Sequence, residues 1–213
     1  MFHDRTYASF LLENQLRRYK NKKGVVLAIA PGGMPIGYQL GRLLHMPFDI
    51  LISTEIPHPF RKEFAIGAVC GSDVVLDQYI DKSVSEKYIQ QQVHHLKDKA
   101  ETRFDLFHKN RKPLPLKGET VILTDDGIAS GHAMLAAVRN IRHQQPSKIV
   151  LAVPVASSIA YSLLNPEVDE FICMLLPLRF MSVSQFYESF PQITDEEVMH
   201  FLDKANVVVG EFI

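Results

Sequence analysis

The chain has 213 residues, and 23 Lys and Arg against 24 Asp and Glu leave a net charge of −1. Apolar residues at 46% and charged residues at 22% exclude a disordered polar chain, and the charge balance argues against a nucleic-acid coat. The two cysteines, Cys70 and Cys173, are too few for a disulfide framework, and their apolar surroundings predict buried free thiols.

No run of 18 apolar residues occurs, so no membrane span is expected. Asp4 and Arg5 stand where a secretory leader would need its apolar core, which points to a cytoplasmic protein. Residues 4–20 carry Tyr7, Phe10, Leu11 and Leu16 at helical spacing, with Asp4 as the predicted cap. VVLAIA (25–30) reads as a strand buried on both faces, PGGMP (31–35) as a loop, and 36–45 as a helix. FDILIS (48–53) is a second strand that closes a right-handed βαβ unit. EFAIGAVCG and SDVVLDQYI suggest a hairpin turning at 70–73, and 84–109 a long amphipathic helix. VILTDD (121–126) and KIVLAVPVA (148–156) are further strands, each followed by a helix, and EFICMLL (170–176) is the last strand of the core. Thr194 and Glu197 have the spacing of a capping box at the start of a tail helix. Alternating strands and helices predict an α/β domain with a largely parallel sheet.

Chemistry concentrates in VILTDDGIASGHAM (121–134). Two adjacent carboxylates, Asp125 and Asp126, end a buried strand, where open α/β sheets bind their ligands. The turn from Gly127 through Ile128, Ala129 and Ser130 to Gly131 leads at once into a helix opened by His132. Such a turn wraps backbone N–H groups around a phosphate, and the helix start adds partial positive charge. Carboxylates beside a phosphate repel it unless they face sugar hydroxyls or a Mg²⁺ ion. Competing motifs fail at particular letters: His132 replaces the Lys of a P-loop, and Ser130 directly precedes Gly131, so no G-x-S-x-G elbow exists.

This segment resembles the phosphoribosyl-pyrophosphate (PRPP) binding motif of the type I phosphoribosyltransferases: an apolar strand, two acids, a short stretch, and Thr-Gly or Ser-Gly before a helix. The resemblance covers nearly the whole chain. VVLAIA-PGGMP takes the place of the first strand and pyrophosphate loop, and 54–82 that of the flexible loop or hairpin. It is nearest to a bacterial group of unknown substrate, whose first loop reads like R-G-G-V-P, whose hairpin resembles EFAIGAV, and whose tail resembles FYESFPQITDEEV (186–198).

The resemblance implies a single domain over 1–213, with a mostly parallel sheet flanked by helices. A hairpin and long helix would occupy 54–110, and 1–20 with 176–213 would form a small hood. It implies Mg²⁺-dependent transfer of 5-phosphoribose from PRPP to a nitrogen of a small nucleobase-like acceptor, releasing pyrophosphate. Asp125 and Asp126 would meet the ribose hydroxyls, directly or through Mg²⁺ and water, and Gly127 to His132 would hold the 5-phosphate. Pro31, Gly32, Gly33 and Met34 would form the pyrophosphate loop, Arg61 and Lys62 would cover it on closure, and Phe180 would stack on the acceptor. Many relatives are dimers, so a homodimer is among the implied partners.

Pro31 stands where the near relatives carry Arg, which keeps open a non-catalytic PRPP- or nucleotide-binding regulator as the alternative. His58, in the closing segment, is a further candidate ligand contact. His94 and His95 lack neighbours at metal-ligand spacing, and the basic run from Arg17 to Lys23 reads as a solvated face.

Overall fold

A computed structural model describes residues 1–62, 64–109 and 112–209 of the chain. In chain order the elements are α1 (Arg5–Leu16), β1 (Gly24–Ile29), α2 (Met34–Leu44), β2 (Phe48–Leu51), β3 (Ser53–Pro57), β4 (Ala65–Cys70), β5 (Asp73–Leu76) and α3 (Glu86–His108). They continue with β6 (Thr120–Thr124), α4 (His132–His143), β7 (Lys148–Val155), α5 (Ser158–Leu164), β8 (Glu170–Leu175) and α6 (Asp195–Val209).

The caps are those the sequence asks for. Asp4 accepts from the Tyr7 amide at 2.7 Å, and Thr194 and Glu197 bond reciprocally to each other's amides. Two boundaries differ from expectation. α2 starts at Met34, two residues early, because Pro35 fits the first helical turn, where its missing N–H has no partner to lose. The strand expected over 48–53 stops at Leu51: the chain leaves the main sheet at Ile52, and Ser53 opens β3, which pairs with β4.

The main sheet has the order β2-β1-β6-β7-β8, all parallel, and β3-β4-β5 form a separate antiparallel sheet. Side-chain alternation sorts the parallel strands onto two faces. Val26, Ala28, Ile122 and Val150 pack under α1, α2 and α6, through Leu12, Leu40 and Leu202. Val25, Leu27, Leu123 and Leu151 face the other way, toward α4 and α5, through Leu135, Val138 and Leu164. Strands buried on both faces explain the unbroken apolar runs in the sequence. Among the described residues no helix is long and apolar enough to cross a membrane.

The small sheet is fastened to α4, which carries the candidate phosphate turn. Ser53 donates to the Ala133 carbonyl at 2.7 Å, and Asn140 donates to the Cys70 carbonyl at 3.3 Å and to Asp73 at 3.1 Å. α3 lies across it, closing a satellite core of Ile56, Ile66, Val69, Val84 and Leu96. Its C-terminal end is held by buried Asp49, which pairs with His108 Nε2 at 3.0 Å and accepts from the Leu114 amide at 2.9 Å. The N-terminal and tail segments also meet: the Phe2 amide donates to the Phe186 carbonyl at 2.7 Å, and the Glu188 amide donates to the Phe2 carbonyl at 2.9 Å.

Candidate functional site

β1 and β6 are neighbours in register, so the loops after them open side by side at the C-terminal edge of the sheet. Between them lies a cleft of about 270 Å³. Its lining includes Pro31 and Gly32 from one loop, Asp125 to Gly131 from the other, and Ser53 and Glu55 from β3. It is a small pocket by the measure of ligand sites generally, with carboxylates and a serine set among apolar and glycine neighbours.

The turn 127–131 is rigidly mounted. Ile128 donates to the Val155 carbonyl at 3.0 Å and accepts from the Ser157 amide at 2.9 Å, tying the turn to the end of β7. Gly131 has φ +87°, a conformation that a side chain resists, and a Cβ there would meet Leu163 at 3.1 Å and Ala160 at 3.3 Å. Among the described residues, the amides of Ala129, Ser130 and Gly131 donate to no protein acceptor. Three successive unengaged donors at the start of α4 form an anion-binding concavity. Gly127 keeps the turn close to its neighbours, since a Cβ there would meet Val183 at 2.6 Å.

The two carboxylates differ in surroundings. Asp125 is half-buried, lines the cleft, and accepts from the Asp126 amide at 2.8 Å. Asp126 is buried and carries a cation: Arg5 Nε donates to Oδ2 at 2.9 Å, with a second guanidinium nitrogen at 2.8 Å. Burial pushes both carboxyls above the ordinary carboxylate range. The charge of Asp126 pushes Asp125 further up, whereas at Asp126 the Arg5 guanidinium opposes the rise.

The other expected site residues are distributed unevenly. The Ala30–Pro31 bond is cis, and Pro31 lines the cleft. Gly32 sits so close to the acids that a Cβ would lie 2.8 Å from Asp126 Oδ2. The Gly33 amide donates to the Ile29 carbonyl at 2.9 Å and the Met34 amide to the Pro31 carbonyl at 3.2 Å, so both are engaged within the loop. The Met34 side chain is fully buried in the core. Arg61 and Lys62 are exposed in the turn between β3 and β4 and do not line the cleft. His58 faces that same turn, its Nδ1 accepting from the Phe60 amide at 3.2 Å. Phe180 is half-buried against Phe186, with ring centroids 5.3 Å apart. His132 lies 3.5 Å from Asp77, which joins the start of α4 to the segment after β5. The cysteines are free. Burial pushes the Cys70 thiol up to about 12 and the half-buried Cys173 thiol up to about 11, so both are inert.

Three residues that sequence reasoning missed complete the site. Arg5 is buried, donates to the Pro191 carbonyl at 2.7 Å as well as to Asp126, and lies 3.7 Å from the centre of the Phe190 ring. The Tyr187 hydroxyl donates to the Asp126 carbonyl at 2.6 Å, and burial raises its pKa. Glu55 accepts from the Ser130 hydroxyl at 2.7 Å. No local pattern marks Arg5 or Glu55; for Tyr187 the only signal was its place in the family-like tail segment.

Comparison with known proteins agrees with this geometry. The phosphoribosyl transferase domain family matches residues 5–170. Two Mycobacterium tuberculosis proteins, from two strains of that organism, are provisionally named phosphoribosyl transferases and are 32% identical over 213 residues. The match covers 97% of this chain and 47% of theirs, so the chain spans about half the length of these relatives. A crystal structure of a Thermus thermophilus protein matches with a TM-score of 0.79 at 31% identity, covering 95% of this chain and 98% of that one. A purine phosphoribosyltransferase from Pyrococcus horikoshii shares the fold, with a TM-score of 0.50 at 14% identity over 89% of this chain and 93% of that one. Acids, turn and α4 all fall inside the matched span, on a sheet of the type I architecture: the chain belongs to the phosphoribosyltransferase family.

Proposed function

We propose that the chain transfers 5-phosphoribose from PRPP to a nitrogen of a small nucleobase-like acceptor and releases pyrophosphate. One observation carries this reading: two carboxylates and a turn with three unengaged amides share one cleft at the end of adjacent parallel strands. The amides of Ala129 to Gly131 and the start of α4 would hold the 5-phosphate. Asp125 and Asp126 would face the ribose hydroxyls, and their charge would favour the cationic character that a ribose gains as its C1 bond breaks. Arg5 would keep Asp126 in place and paired. No protein nucleophile is needed, because the acceptor nitrogen attacks C1 directly.

Asp125, Asp126 and Glu55 set three carboxylates around the cleft against one buried guanidinium, a hard-oxygen environment that fits a divalent cation. Among the described residues no three His, Cys, Asp or Glu side chains are grouped to hold an ion by themselves. Asp125 and Asp126 would therefore hold Mg²⁺ indirectly, through ribose hydroxyls or water. When bound, the ion would neutralise charge on the departing pyrophosphate.

The first loop favours a second reading, a PRPP- or nucleotide-binding regulator without turnover. Pro31 supplies neither N–H nor charge, and the Gly33 and Met34 amides are engaged internally, which leaves the Gly32 amide as the loop's one unengaged donor among the described residues and a weak grip on pyrophosphate. Calorimetric titration of PRPP with and without Mg²⁺, followed by a screen of bases for pyrophosphate release, separates the two. Micromolar, Mg²⁺-dependent binding with release supports the transferase. Binding without release for any base supports the regulator, and no binding at millimolar PRPP defeats both.

A further inference from the structure

β3 holds a carboxylate against the phosphate turn, and the fold fixes it there. Ser53 and Glu55 share one face of β3 by the two-residue period of a strand. The Ser53 hydroxyl is bonded to the Ala133 carbonyl at 2.7 Å, which locks this face over the beginning of α4. Glu55 then reaches Ser130, three positions before Ala133, and accepts its hydroxyl proton at 2.7 Å. The same hydroxyl oxygen accepts from the His132 amide at 3.3 Å. A serine hydroxyl has a single proton to donate. While Glu55 takes it, a phosphate on the turn cannot.

We infer that Glu55 is a resident anion in the phosphate cradle, a built-in competitor that an incoming phosphate ester must displace. The inference rests on the reading of this cleft as a phosphoribosyl site. Glu55 is exposed, so its side chain can swing outward while its backbone stays paired opposite Ala68 in β4. Displacement thus needs no unpacking of the small sheet. A second carboxylate, Asp125, borders the same space and adds to the repulsion that a lone phosphate meets. Like charges a few ångströms apart at a protein surface change affinity by about tenfold or more. Every phosphate ester is weakened alike. Ligands held by one phosphate therefore fall below useful affinity first, while a ligand also anchored through its ribose hydroxyls and diphosphate stays bound. The site selects for multiple anchorage by raising the threshold for all.

The test is calorimetric titration of ribose 5-phosphate, and separately of inorganic pyrophosphate, into the intact protein and into Glu55→Gln and Glu55→Ala. Ribose 5-phosphate should bind about tenfold more tightly to both variants, with pyrophosphate unchanged. Ser130→Ala should then weaken ribose 5-phosphate more in the Glu55→Ala background than in the unaltered chain, because only there is the hydroxyl proton free. Equal ribose 5-phosphate affinity in all three proteins, or weaker binding in the variants, would overturn the inference and leave the phosphoribosyl reading standing. Failure of both probes on all three proteins would overturn that reading and the inference with it.

Discussion

The loops after β1 and β6 leave neighbouring strands at the same edge of the sheet, and each opens a helix. They treat their amides in opposite ways. The β1 loop begins with a proline and spends its Gly33 and Met34 amides on nearby carbonyls, so among the described residues of that loop the Gly32 amide alone stays unengaged. The β6 turn leaves the Ala129, Ser130 and Gly131 amides unengaged beside the cleft and takes its rigidity from β7, α5 and the tail instead. A glycine-bearing loop at a strand end is thus no measure of anion affinity. What counts is how many donors remain once the loop has satisfied itself.

The largest effect is expected where the β6 side is braced. Arg5→Ala leaves Asp126 buried without its cation and should cost about 3–5 kcal/mol in urea unfolding at pH 7. A loss below about 1 kcal/mol would show that the clasp is ornamental. Gly131→Ala attacks the turn itself. Its positive φ and the closeness of Leu163 and Ala160 predict a loss of about 1–2 kcal/mol, with ribose 5-phosphate binding reduced. Pro31→Arg should make the β1 loop more like its neighbour by giving it a charged donor, tightening pyrophosphate by about 1.5 kcal/mol; calorimetry showing no gain would mean that Pro31 is not the weak point. Ser130→Ala should shift ribose 5-phosphate affinity by less than about 1 kcal/mol in the unaltered chain, because Glu55 already takes the hydroxyl proton.

The last prediction concerns sign more than size. The folded state holds the Asp125 proton more tightly than the unfolded chain does, through burial and the charge of Asp126. Its contribution to stability is complete below an ordinary carboxylate pKa of about 4 and is lost as pH rises through the raised value. Asp125→Asn should therefore gain stability relative to the unaltered protein as pH rises from about 4 towards 8, while losing affinity for the sugar phosphate. Thermal midpoints of the two proteins that run parallel across that range would contradict the assignment.

Much of this was legible in the sequence because it is local. An apolar strand, a glycine-bounded turn and an amphipathic helix are neighbours in the chain, so VILTDDGIASGHAM announces its own geometry. The same holds for the Thr194–Glu197 cap, where both bonds lie within four residues. The rest is not local. Arg5 and Asp126 are 121 positions apart, and an arginine in a first helical turn looks like any solvated one. Glu55 was hidden by a sheet change at Ile52 that no glycine or proline marks, so FDILIS read as one strand.

The clasp around Arg5 has a consequence for how the molecule is made. Its partners are Asp126, midway along the chain, and Pro191, 186 positions further on than Arg5 itself. Contacts of such long range form late, since closing the intervening loop is entropically expensive. During synthesis the parallel sheet can assemble from β1 to β8 while Arg5 still waits for the Pro191 carbonyl and Asp126 for the Tyr187 hydroxyl. Completion of the cleft is therefore coupled to delivery of the tail. A chain shortened before residue 187 loses the Tyr187 and Pro191 partners of the site together with α6, which covers one face of the sheet.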